Sequence, residues 1–142
     1  MNLILLGMPG AGKGTQAEFI QKDFKLANIS TGAMMREVSR SESELATRVQ
    51  SYLSSGALVP NEIIVEMLVE RIGQDDCLKG FLLDGFPRNL EQGKALDNAN
   101  ISIDQVLYLS IDEEEIISRM SGRRVHLASG RSYHIVHNPP KK

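Results

Sequence analysis

Near the start of the chain, Gly7-Met8-Pro9-Gly10-Ala11-Gly12-Lys13 sets a glycine, four residues, a glycine and a lysine in succession, the spacing of a loop that cradles phosphates. The glycines let backbone N–H groups converge on a phosphate without obstruction by Cβ atoms, and a following helix adds a positive N-terminal dipole. Lys13 supplies a mobile full charge. The residue after the lysine is Gly14, so the hydroxyl expected beside a phosphate-bound metal arrives one place late, at Thr15. Further along, the apolar run Phe81-Leu82-Leu83 closes on Asp84 and continues as Gly85-Phe86-Pro87-Arg88. An acid at the end of a buried strand suits Mg²⁺, held directly or through water, beside a phosphate loop. Arg88 is close enough in sequence to clamp a second phosphate with its planar fork. Two phosphate-binding groups and one acid make a site for phosphoryl chemistry.

Such groups need a rigid frame. Leu3-Ile4-Leu5-Leu6 is a short unbroken apolar run entering the glycine stretch, the profile of a strand buried on both faces. Thr15 to Phe24 carries Ala17, Phe19, Ile20 and Phe24 at helical steps and predicts an amphipathic helix. Ile29-Ser30-Thr31-Gly32 reads as a strand end and cap before a helix through Met34, Met35 and Val38. A more polar helix over Ser41 to Ser55 holds Leu45, Val49 and Leu53 four apart, and is expected to be poorly buried. Asn61 is placed to cap a helix running to Ile72, whose Ile63, Ile64, Met67, Leu68 and Ile72 share one face. Leu90 to Leu96 predicts a short helix and Gln105 to Leu109 another strand. Asp112 with Glu115 resembles a capping box for a helix through Ile116, Ile117 and Met120. Tyr133 to Val136 reads as a hairpin arm without a returning strand to pair with. Alternating strands and helices predict an α/β fold with a parallel sheet.

Sixteen Lys plus Arg against eighteen Asp plus Glu leave a net charge of -2, which offers no global field for a nucleic acid. The apolar runs are far below the roughly 18 residues that span a bilayer, so no membrane partner is expected. Cys77 is the single cysteine of the chain and cannot form an intramolecular disulfide, and the apolar start is too short for a secretory signal; both point to the cytoplasm. From Gly122 onward no acid appears, while Arg123, Arg124, Arg131, Lys141, Lys142 and the three histidines His126, His134 and His137 do. A structural zinc site wants about four ligands, commonly cysteines, so zinc is not expected here.

Four separated segments together resemble the adenylate kinases: Gly7 to Thr15, Ile29 to Gly32 with Arg36, Asp84 to Arg88, and Gly122-Arg123-Arg124-Val125-His126. The resemblance implies a P-loop parallel sheet flanked by helices, with a core of residues 1–29 and 60–121, a helical AMP-binding insertion over 30–59, and the first half of a lid over 122–142. Members of that family are longer, and the resemblance has this chain stop inside the lid; at full length a monomer is implied. ATP with Mg²⁺ would sit on Gly10, Ala11, Gly12, Lys13, Gly14 and Thr15, with Arg119 and Arg123. AMP would meet Thr31, Arg36, the backbone near Val59, Gly85, Arg88 and Gln92. Catalysis would fall to Lys13, Arg88, Arg123 and Asp84, the last holding Mg²⁺ through water. His126 and Ser129 match the first two members of a hydrogen-bonded lid cluster.

Two positions depart from that pattern. Ala33 stands where the family usually has an acid that orders the metal's water shell. Asn89 replaces a commoner threonine, and asparagine there occurs in the related pyrimidine monophosphate kinases. By the same resemblance Gln92 would read an adenine edge, making the reaction MgATP plus AMP to two ADP. A UMP or CMP kinase is the rival enzyme, and a nucleotide-binding module without catalysis is the rival reading for these 142 residues.

Overall fold

The computed structural model describes residues 1–129 and 131–140. Gly130, Lys141 and Lys142, which fall in the stretch expected to begin a lid, lie outside the described residues. The first apolar run forms β1 (Asn2–Gly7). Leu3, Ile4 and Leu5 are all buried, as a strand with neighbours on both edges and both faces requires. Its neighbours are β3 (Phe81–Asp84) and β4 (Gln105–Leu109), and β2 (Ala27–Ser30) pairs with the far edge of β3. All three pairings are parallel and the strand order is β2-β3-β1-β4.

Helices α1 (Lys13–Phe24), α2 (Thr31–Val38), α3 (Glu44–Ser55), α4 (Asn61–Ile72), α5 (Leu90–Asn98) and α6 (Glu113–Gly122) complete the described α/β architecture. On one face of the sheet, Leu3, Leu5 and Leu82 pack with Ala17 of α1. On the other, Ile4, Ile29, Phe81 and Leu83 pack with Met34, Val49, Met67, Leu68 and Leu96, drawn from α2 to α5. Side chains alternate between the two cores along each strand, which fixes the register, because a slip of one residue would exchange the faces.

Several local expectations change. Phe19 and Phe24 are 58% and 59% exposed, so α1 uses only Ala17, with Ile20 partly, against the sheet. Conversely α3 is well seated: Leu45, Ala46 and Val49 are buried and only Leu53 faces outward. The apolar spacing there outweighs its polar composition, since three residues on one face suffice to dock a short helix. Asn61 does not cap α4; Pro60 holds the cap position and Asn61 is the first helical residue. Proline is suited to a helix start because its missing N–H would lack a partner there anyway.

The Asp112–Glu115 capping box does not form either. Asp112 is the N-cap of α6 without a side-chain bond, while Glu115 pairs with Arg119 one turn on, at 2.9 Å. A charged partner on the helix surface competes with the backbone N–H for that carboxylate. Finally, β6 (Ser132–His134) has its strand partner in β5 (Arg123–Val125), an antiparallel hairpin in which Arg124 faces Tyr133. The hairpin arm therefore pairs backward along the chain.

Candidate active site

Three neighbouring strands end on the same rim of the sheet. Asp84 stands in register with Leu5 of β1 and Ser30 of β2, so the loop after β1, the start of α2 and the turn after β3 converge there. Gly12 holds the left-handed conformation (φ 94°) at the N-cap of α1, a conformation that costs a side-chain-bearing residue roughly 1–2 kcal/mol. The loop closes through a bond from Ala11 N to Met8 O at 3.1 Å. Lys13 Nζ donates to Gly7 O at 2.8 Å and to Met8 O at 3.1 Å, which leaves one of its three donors for a ligand. The first turn of α1 has no acidic residue, so its positive dipole is not offset there. Gly14 and Thr15 are exposed on that turn.

Helix α6 borders the loop from the side. A Cβ on Gly10 would come within 3.1 Å of Met120, and one on Gly12 within 3.8 Å of an Arg119 nitrogen. Arg119 is thus brought to the loop, tethered by Glu115. Arg123 stays within the hairpin, its guanidinium donating to Ser132 Oγ at 3.2 Å.

Beyond β3, Arg88 folds back: its Nε donates to Gly85 O at 2.6 Å and an Nη to Thr31 Oγ1 at 3.4 Å. That unites Thr31, Gly85 and Arg88, three residues from the ends of two strands. Arg36, one turn into α2, lies near Gly32, whose added Cβ would be 3.3 Å from its guanidinium. Val59 is buried in the core beneath this region. Burial pushes the Asp84 carboxyl above its ordinary value, against the opposing pull of Lys13 and Arg88. The two cations therefore offset the burial of this carboxylate only in part. The family of proteins described as adenylate kinase matches residues 5–138 of this chain.

The chain belongs to the adenylate kinase family. Adenylate kinases bind nucleotides such as ATP and AMP, and the match supports a nucleoside monophosphate kinase-like phosphotransferase function. Kinases of this kind generally work with Mg²⁺. Asp84 offers a carboxylate oxygen of the hard kind that ion takes, at the rim where the loop after β1 also lies. Among the described residues no group of three or more His, Cys, Asp and Glu comes together. None of the described helices is long and apolar enough to cross a membrane.

Within this member of the family, Gln92 is buried and doubly engaged. Its Oε1 accepts from Arg88 N at 2.7 Å and its Nε2 donates to Asn61 Oδ1 at 3.0 Å. Asn89 is the N-cap of α5, its side chain accepting from Gln92 N at 2.8 Å. Asparagine and threonine are both good caps, so Asn89 at this place has a local structural role. A cap residue followed three places on by glutamine was a signal available in the sequence; Asn61 offered none, because its partners come from another helix. In the hairpin, His126 Nδ1 and Ser129 Oγ are 2.7 Å apart.

Proposed function

We propose that this chain carries the catalytic core of an adenylate kinase, transferring a phosphoryl group reversibly from MgATP to AMP to give two ADP. The observation that carries this reading is that the ends of β1, β2 and β3 bring the glycine loop with Lys13, the carboxyl of Asp84 and the Arg88–Thr31 pair to one rim of the sheet: one cation belongs to a polyphosphate loop, the other to a separate clamp. ATP binds at Gly10 to Thr15 with Arg119 and Arg123, and AMP at Thr31, Arg36, the backbone near Val59, Gly85, Arg88 and Gln92. In this reading residues 30–59 form the AMP-binding insertion and 122–142 begin the lid, with Arg123 carried toward ATP by lid closure.

The nucleophile is a phosphate oxygen of AMP. Its second pKa is about 6, so it is largely anionic at neutral pH and needs no general base. What the chain supplies is alignment and charge. The loop N–H groups and Lys13 orient the donor, Arg88 holds the acceptor phosphate in line, and Arg119 and Arg123 offset charge on the passing group. Asp84 would hold Mg²⁺, which when bound supplies neutralisation of phosphate charge. Closing the lid would exclude water as a competing acceptor.

ADP formation from ATP with AMP, CMP or UMP as acceptor tests the reading. The expected result is transfer to AMP well above the two pyrimidine nucleotides. Preference for CMP or UMP would make this a pyrimidine monophosphate kinase, and nucleotide binding without transfer would make it a binding module.

A further inference from the structure

Asn61 lies outside every motif named above, yet it completes a chain of side-chain amides. Its Nδ2 donates to Glu91 Oε2 at 3.2 Å, its Oδ1 accepts from Gln92 Nε2 at 3.0 Å, and Gln92 Oε1 accepts from Arg88 N at 2.7 Å. The two ends of this chain are chemically one-way. A backbone N–H can only donate and an ionised carboxylate can only accept. Turning over either amide would set two donors or two acceptors face to face, and Gln92 is only 7% exposed, so water cannot repair the mismatch. The direction of the Gln92 amide is therefore set from both sides, by Arg88 and by Asn61.

We propose that Asn61 is a positioning residue for base selection: it locks the Gln92 amide so that one remaining N–H and one remaining oxygen lone pair face the acceptor base in a fixed order. An amide is self-complementary, and a free one could reverse to suit either kind of base edge. A locked one fits an amino group beside a ring-nitrogen acceptor, as in adenine, and opposes a keto oxygen beside a ring N–H, as in hypoxanthine. With the phosphate end held at Arg88, the base cannot turn over to compensate. This proposal rests on the reading of Gln92 as the base contact.

The test is equilibrium binding of AMP, inosine monophosphate and ATP, measured by calorimetry on the 142-residue chain. Wild type is expected to favour AMP over inosine monophosphate. Asn61→Leu should cut that ratio about tenfold, the scale of one mismatched buried hydrogen bond, and leave ATP affinity unchanged. The double variant Asn61→Asp with Glu91→Gln keeps an acceptor opposite Gln92 without adding like charge beside it, and should bring the ratio back to within about threefold. Glu91→Ala, a surface change, frees Asn61 to turn and should lower the ratio in the same direction, which keeps the test open if Asn61→Leu does not fold. An unchanged ratio in Asn61→Leu, or in Glu91→Ala where it must stand in, overturns the proposal, as does failure of the double variant to restore the ratio. If Gln92→Leu collapses the ratio in those cases, the reading of Gln92 survives alone. A ratio untouched by Gln92→Leu, or no binding of either monophosphate, overturns that reading and the proposal with it.

Discussion

Adding one methyl group at Gly85 should separate the acceptor clamp from the rest of the machinery. Gly85 has φ 83°, and a Cβ built there would lie 3.2 Å from an Arg88 Nη, 3.8 Å from its Nε and 3.9 Å from its Cζ. The left-handed conformation alone costs an alanine roughly 1–2 kcal/mol, which for a domain of this size lowers the melting temperature by about 3–7 °C. The contact must also push the guanidinium aside by a few tenths of an ångström, and that strains the 2.6 Å bond from Nε to Gly85 O. A displacement of that order at a clamp on a reacting phosphate costs about 10-fold to 100-fold. Gly85→Ala should therefore lose that factor in kcat/KM for AMP, with KM for ATP little changed, in a coupled ADP assay run below the new melting temperature. Gly93→Ala is the matched control: a Cβ at Gly93, within α5, meets nothing within 4 Å, so the same methyl should stabilise by about 0.5–1 kcal/mol and leave turnover alone. Normal AMP kinetics in Gly85→Ala would show that the Arg88 position seen here is not the one that matters.

Lys13→Met should retain the fold and lose on the order of 3–5 kcal/mol of transition-state stabilisation; a circular dichroism spectrum and the ADP assay check both halves. Arg88→Ala should weaken AMP binding and turnover while ATP binding holds, and equal losses in separate titrations of the two nucleotides would make Arg88 structural. Asp84→Asn should abolish Mg²⁺-dependent transfer yet stabilise the fold near neutral pH. Burial raises this carboxyl's pKa in the folded state, so its contribution favours the fold below the unfolded value of about 3.9 and is lost as pH rises through the folded value. Denaturant titrations from about pH 3.5 to 7 should show the variant's advantage widening with pH; a constant gap would contradict the burial argument.

The chemistry was more legible in the sequence than its support. The loop, the strand before it and the acid at the end of β3 could be read from runs of consecutive residues, because the forces that shape them are local. Residues with two competing partners were not. Glu115 had a backbone N–H and Arg119 within reach and took the arginine; Asn61 had its own helix start and Gln92, and took the glutamine. Burial was misjudged in both directions for a related reason. Whether Phe19 or Leu45 is covered depends on which elements pack beside α1 and α3, and that is decided at long range.

The strand order has a last consequence. Neighbouring strands are about 4.8 Å apart, and the loop leaves β1, Asp84 ends β3, and Thr31 follows β2. The glycine loop, the acid and the Thr31 hydroxyl are thus spaced along a ruler whose divisions are backbone hydrogen bonds, one strand apart and then two. Such a ruler has no fine adjustment: register shifts carry side chains to the wrong face, and the strand spacing itself is a property of the peptide group. On the proposed assignment, changes of nucleotide preference would be written at the far end of the acceptor, around Asn61 and Gln92, while the gap that the phosphoryl group crosses would stay the same.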